Sequence, residues 1–445
     1  MRPGGGAPPP RPAPADLLFA VLGRRATLPP GDLGAPEWDA LAEAAARRGV
    51  MPLLLRRLQE RDADRFAPAA VRRRLDESHT VAALRAQASR RQLDEALTAL
   101  QARDVPVVLL KGAYLAAHAY PSAAVRPMGD LDLLVPEDRL APAMDALAAV
   151  GYAHPSAQEW DAFRNHRHPP PMRRPGRLPI ELHLTIEPCA PPFALPLADV
   201  WARTRPVPTS GARPLTLAPE DLLLHLATHM GHSHLLGTSL VRVYDGAMWI
   251  ERFGGAADWD ALVRRAIASG TRRFVYAMLE LTRRLLACEV PREVLRALRA
   301  ETDDAAADAA VALLRLPPEL LVGATVLVHP SATRWVRTKR VARSFLLTSE
   351  LLRGTSLPEV RRALDHPSRR ARLRARARAL VRLLIHPGAL RAAVQQASRV
   401  DRLARWTGRS AAADVARPRR TGQADPPPGS PAGAVPAEGK AVARR

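Results

Sequence analysis

From Trp38 to Leu58 the apolar residues Leu41, Ala44, Ala45, Val50, Leu53, Leu54 and Leu58 fall at helical spacing, and a second helical pattern runs from Val71 to Ala102 without Pro or Gly. Apolar positions three and four apart line one face of a helix, so this front section predicts helices packed by one side. The turn at Arg103-Asp104-Val105-Pro106 ends it. The period then changes. Val105–Leu110 is a continuous apolar run rich in β-branched residues, the pattern of a buried strand. Lys111 and Gly112 close that run, Ala113–Ala119 predicts a helix stopped by Tyr120-Pro121, and Asp130–Val135 predicts a second strand. Glu137–Val150 returns to helix before Gly151, and Leu178–Ile186 predicts a third strand. Strand, helix, strand, helix, strand is an α/β module. From Pro219 the helical period resumes over Glu220–His234, Leu240–Phe253, Trp259–Ala268 and Thr271–Cys288. After the break at Val290-Pro291 it continues over Glu293–Leu316, and more weakly over 341–405.

Composition sharpens this picture. Aromatic residues are 4% of a chain that is 47% hydrophobic, so Leu, Val and Ala must build the cores, which favours helices over sandwiches. The expected fold class is α+β, predominantly helical. At 445 residues the chain exceeds one ordinary core. The pattern divides it into a disordered N-terminus (1–14), an N-terminal helical region (15–102), an α/β core (103–210), a C-terminal helical domain (211–330), a basic helical extension (331–409) and a disordered tail (410–445). Pro and Gly dominate the first of these, and Pro426–Pro431 sits in the last.

The formal charge of +22 invites a nucleic-acid or membrane reading, but only Lys111, Lys339 and Lys440 among the 66 basic residues are lysine. Arg and Ala are abundant along the whole chain, so much of the charge reads as compositional bias. The dense run Arg369–Arg382, followed by Leu383–Ile385, predicts a basic amphipathic helix. Two readings stay open for 369–385: weak contact with nucleic acid or an anionic membrane, and a solvated helix face. Cys189 and Cys288 cannot form a disulfide framework, and the apolar run Leu17–Leu22 is too short to cross a membrane. A soluble, cytoplasmic protein is expected.

The chemistry concentrates around the predicted strands. Residues two apart in a strand face one side, so Asp130 and Asp132 present two carboxylates together while Leu131, Leu133 and Val135 face away. Two close anions repel unless a cation lies between them, and Mg²⁺, with its preference for carboxylates, water and phosphate oxygens, is the natural occupant. The plainer alternative is that Asp130 turns the chain after Gly129 and Asp132 is a solvated strand residue. Lys111-Gly112 at the preceding strand end tilts the balance: glycine lets a ligand approach the backbone, the opening helix offers N–H groups to an anion, and lysine adds a charge. The third strand supplies Glu181, flanked by Ile180 and Leu182 on the opposite face. If that strand lies beside Asp130 and Asp132, the three acids can hold two ions about an α-phosphate and clamp an in-line displacement.

Taken together, Leu110-Lys-Gly-Ala-Tyr-Leu115, Tyr120-Pro121, Arg126-Pro-Met-Gly-Asp-Leu-Asp-Leu-Leu-Val135, Gly151-Tyr152 and Ile180-Glu-Leu-His183 resemble the bacterial nucleotidyltransferase family of the polymerase-beta-type superfamily. The likeness extends through Trp38–Leu58 and Leu222–Pro291, with Val243-Tyr-Asp245 and Asp258-Trp-Asp260, and so covers most of residues 35–291. It implies a small mixed sheet with helices on one side, joined to helical regions before and after it. It places Gly112 in the phosphate loop, Asp130 and Asp132 on two Mg²⁺ (or Mn²⁺) ions, and Glu181 as third acid. An NTP is the implied co-substrate, whose NMP passes to an unidentified acceptor with release of pyrophosphate. The chain departs from the superfamily at Lys111-Gly112-Ala113, where the usual loop serine is missing, and Lys111 is expected to take over its phosphate contact.

Arg126 has two readings, contact with the triphosphate or acceptor and an ion pair with Asp130. His183 shares a strand face with Glu181 and is expected to orient the carboxylate, to bind the acceptor, or to be a satisfied structural histidine. His225, His229 and His232 fall on one helical face, a spacing that suits zinc as well as residues facing a cleft or core. Two other functions fit parts of the pattern. One is a nucleotide-binding regulatory or antitoxin-like protein, against which three intact carboxylates argue. The other is a sugar-nucleotide glycosyltransferase, which the Lys111-Gly112 strand end suits less well.

Overall fold

The computed structural model describes residues 13–24, 30–163, 168–186, 193, 195–207, 211–233, 239–301 and 303–316, together with 398–399, 402–403 and 406–407. All of them belong to one unit, residues 1–410. The expectations for residues 1–12, for 317–397 with the Arg369–Arg382 run, and for 410–445 lie outside the described residues.

The fold is α+β and predominantly helical. The front section is α1 (Pro14–Leu22), α2 (Ala35–Arg47), α3 (Met51–Gln59) and α4 (Ala69–Gln101). A proline stands in the first turn of each of α1, α2 and α3, where its fixed φ suits a helix and its missing N–H costs nothing. The helical spacing from Trp38 to Leu58 is shared by two helices rather than one, because Gly49 at φ +67° turns the chain between α2 and α3. The apolar run at Leu17–Leu22 is the buried face of α1. No described helix is long and apolar enough to cross a membrane.

The α/β part contains β1 (Val108–Leu109), α5 (Lys111–His118), β2 (Leu131–Leu134), α6 (Leu140–Ala149), α7 (Ala157–Phe163), β3 (Ile180–His183), α8 (Leu197–Ala202), β4 (Arg205–Pro206) and β5 (Leu215–Thr216). The strands form one mixed sheet in the order β3-β2-β1-β5-β4. β2 runs parallel to β3 and antiparallel to β1, while β5 is parallel to β1 and antiparallel to β4. β4 and β5 have two residues each, too few to leave a period in the sequence. On one face Leu109, Leu131, Leu133, Ile180 and Leu182 pack with Leu97 and Leu100 of α4 and with Ala143 and Leu147 of α6. On the other, Val108 and Leu134 join the larger core shared with the helices that follow.

Those helices are α9 (Pro219–Thr228), α10 (Leu240–Phe253), α11 (Trp259–Ala268), α12 (Arg272–Leu286), α13 (Arg292–Leu298) and α14 (Asp303–Leu314). α9 stops six residues short of the expected His234: a π-type turn occupies His229–Ser233, and Gly231 sits so close to the Phe274 ring that a Cβ there would overlap it. The pattern over Glu293–Leu316 likewise divides, because Arg299 takes an extended conformation between α13 and α14. Fully buried Asp221 pins three elements by accepting from Arg203 at 3.0 Å and Arg265 at 2.7 Å, and Trp249 Nε1 ties α10 to α9 by donating to the Pro219 carbonyl at 2.7 Å.

Candidate functional site

The sheet sets Asp132 of β2 opposite Glu181 of β3, lateral neighbours on parallel strands about 4.8 Å apart. Asp132 is 2% exposed. Asp130 lies in the bend just before β2. His183, two residues beyond Glu181 on the same face, is fully buried and reaches back so that Nε2 donates to Asp132 Oδ1 at 2.7 Å. One ligand atom each from Asp132, Glu181 and His183 falls within 4.8 Å of the others, the one such metal-ready group among the described residues.

Lys111 opens α5 at the end of β1, and its Nζ donates to Asp132 Oδ1 at 2.5 Å with the residue 6% exposed. The buried ammonium thus meets a buried carboxylate, which is tolerable only as a pair. Lys111 also takes φ +39°, a left-handed conformation costing a lysine about 1 kcal/mol or more and found where function over-determines the backbone. Gly112 needs its missing side chain: an added Cβ would overlap the Arg126 guanidinium and press on Met128. The close approach expected of a ligand at Gly112 is therefore made here by Arg126.

Arg126 does not pair with Asp130. Its Nη2 and Nε donate to Asp245 Oδ2 and Oδ1 of α10 at 2.9 and 3.2 Å, and Tyr120 Oη donates to the same Asp245 Oδ1 at 2.7 Å. Asp245 is 2% exposed. This knot clamps the loop leading to Asp130 onto the C-terminal helices. Asp245 was readable only as part of Val243-Tyr-Asp245; its own signal is an acid amid the buried residues Val243, Tyr244 and Gly246 of an amphipathic helix.

The electrostatics separate the acids. Burial favours the neutral form of Asp132, but the ammonium of Lys111 and the hydrogen bond from His183 outweigh it and hold the carboxyl well below its usual range. Glu181 is also lowered: burial opposes its charge, and His183 and His168 overcome that. Burial and the neighbouring Asp132 and Glu181 charges instead push Asp130 up to about 6. Its proton is held more tightly in the folded chain than in the unfolded one, so its ionisation destabilises the fold as pH rises from about 4 to 6, with the whole cost present above. Asp130→Asn is therefore expected to stabilise the metal-free protein at pH 8 by about 1–3 kcal/mol, a gain that disappears by about pH 4. Urea midpoints at the two pH values measure this, and equal midpoints at pH 8 would contradict it.

The histidines extend from the site into the helical part. The His183 ring lies 4.9 Å from His168 and 6.4 Å, edge-on, from His225, which is 6.4 Å from His229. His225 Nδ1 meets the Ile186 carbonyl at 2.8 Å, so it serves the core. His225, His229 and His232 enter no metal-ready group among the described residues. His168, which no sequence pattern singled out, places Nε2 3.5 Å from Glu181 Oε2.

A family model described as uncharacterised nucleotidyltransferase matches residues 34–287. It spans α2 through α12, and so includes every residue of the site. Neither a curated protein nor a solved structure matches the chain.

Proposed function

The chain belongs to the uncharacterised nucleotidyltransferase family, and from that premise we propose that it moves an NMP from an NTP to an acceptor hydroxyl or phosphate with release of pyrophosphate. The observation that carries this reading is buried Asp132 opposite half-buried Glu181 on adjoining parallel strands, with Lys111 at the end of the next strand. The donor set fits a divalent ion: two carboxylates and an imidazole converge on one point, and Asp130 stands beside them. A divalent ion bound there would polarise the α-phosphate and neutralise charge as it develops. The small mixed sheet also suits the polymerase-beta-type superfamily that the sequence resembles.

In the proposed reaction an acceptor oxygen bonds to the α-phosphorus as the bond to the α,β-bridging oxygen breaks, and pyrophosphate carries away the electron pair. The acceptor's proton passes to a carboxylate, for which Asp130 has the highest proton affinity of the three. Asp132 and Glu181 remain ionised and would hold the ion against the phosphate. The Arg126 and Asp245 clamp sets the loop that carries Asp130. A cavity of about 590 Å³ is walled by Ala82, Ala86 and Ser89 of α4 and by Arg126 and Met128, the two residues that also press on Gly112, while none of the acids lines it. NTP turnover that needs a divalent ion and yields pyrophosphate is the expected result; turnover yielding orthophosphate would contradict the proposal.

Lys111 holds Asp132 in the resting site and is proposed to turn to the β- and γ-phosphates when nucleotide enters, replacing the absent loop hydroxyl. A charge-assisted contact of about 1.5–3 kcal/mol is then lost in Lys111→Ala. NTP affinity, read by calorimetry, should fall about 10- to 100-fold. Unchanged affinity would remove Lys111 from phosphate binding.

A further inference from the structure

We infer that His183 is itself a metal ligand, and that the site therefore selects a first-row transition dication such as Mn²⁺ over Mg²⁺. This rests on the nucleotidyl-transfer reading and deepens it by naming the class of ion. His183 Nε2 stands 2.7 Å from Asp132 Oδ1 and 3.6 Å from Glu181 Oε2. Donor atoms about 2.1–2.2 Å from a shared ion stand about 3.0–3.6 Å apart at angles between octahedral and tetrahedral. The two separations lie close to that range, so small side-chain rotations bring all three donors onto one ion.

The hydrogen bonds around the rings point the same way. His168 Nδ1 lies 2.8 Å from the Pro169 carbonyl, which holds a proton on Nδ1 and turns Nε2 toward Glu181 Oε2 at 3.5 Å, so His168 orients the carboxylate from outside the donor group. His183 Nδ1 has no hydrogen-bond partner among the described residues, so moving its proton from Nε2 to Nδ1 breaks no bond there. Both Lys111 and His183 contact Oδ1 of Asp132, and no described residue donates to Oδ2.

Donor chemistry then decides the ion. Mg²⁺ demands hard oxygen ligands, whereas imidazole nitrogen suits manganese, iron, cobalt and zinc. Two carboxylates with one imidazole form a mixed set. Neither His183, at 0% exposed, nor His168, which packs on it, is available as a solvent-side contact.

The test is Mn²⁺ binding to the full-length, nucleotide-free protein, followed by electron paramagnetic resonance with Mg²⁺ as competitor. Wild type should bind Mn²⁺ with ¹⁴N hyperfine coupling, and half-displacement should need at least about tenfold more Mg²⁺ than Mn²⁺. His183→Gln, which keeps a polar oxygen, should weaken Mn²⁺ by about 10- to 100-fold, change Mg²⁺ little and lose the ¹⁴N coupling. If His183→Gln does not fold, wild type labelled with ¹⁵N-histidine provides the reading, with ¹⁵N coupling expected in place of ¹⁴N. Bound Mn²⁺ without ¹⁴N coupling, or equal competition by Mg²⁺, overturns the inference and leaves an all-oxygen site and the proposed reaction standing. Absence of any divalent binding, together with pyrophosphate release unaffected by Asp132→Asn, brings down both.

Discussion

Asp132→Asn is expected to lower divalent-ion-dependent pyrophosphate release by about 10³-fold or more, while the protein remains folded. The central carboxylate meets Glu181 across the strands and receives both Lys111 and His183. Its replacement removes one charge from the ion's cradle, and charge stabilisation worth several kcal/mol corresponds to at least three powers of ten in rate. Asparagine keeps the size of the side chain and an oxygen that accepts from Lys111, so the loss reports chemistry rather than unfolding. Release measured from the four NTPs with a small-molecule extract as acceptor source checks it, with circular dichroism as the folding control. A variant retaining a tenth of the wild-type rate would show that the acids do not hold the reaction.

The second large effect concerns the clamp. Asp245→Ala is expected to destabilise the protein by about 3–5 kcal/mol, because it leaves the buried Arg126 guanidinium uncompensated. Arg126 has a side chain 11% exposed and Tyr120 is 6% exposed, so neither regains water easily. Asp245→Asn should cost less, about 1–3 kcal/mol, since the amide oxygen still accepts from Arg126 and Tyr120. Denaturant midpoints for the two variants give the comparison. A loss below about 1 kcal/mol in Asp245→Ala would mean that the pair is not what seats the Arg126–Asp130 loop.

How far the sequence revealed this site can be followed residue by residue. Strand alternation put Leu131, Leu133, Ile180 and Leu182 on the face away from Asp132 and Glu181, and these four residues are buried together on that face. It could not show which strands are neighbours, because lateral pairing depends on the whole sheet. Thus local spacing paired Asp130 with Asp132, whereas the β2 and β3 register is what sets Asp132 opposite Glu181 and, with His183, in one ligand group. The same limit explains Arg126. Its partner Asp245 is 119 residues away, and local spacing offered only Asp130. His168 went unnoticed because it lies outside regular secondary structure and becomes meaningful only beside Glu181. Helix positions were more legible: Leu240–Phe253 and Trp259–Ala268 fall where the period placed them, since their apolar stripes are local. Helix ends set by tertiary contact, such as the turn at Gly231 against Phe274, were not.

A crystal structure with a non-hydrolysable NTP and Mn²⁺ tests the central claim most directly. The account predicts an ion about 2.0–2.3 Å from oxygens of Asp132, Glu181 and the α-phosphate, with the Lys111 ammonium moved from Asp132 to the outer phosphates. Nucleotide bound elsewhere, with Lys111 still on Asp132 and no ion between the carboxylates, would contradict it.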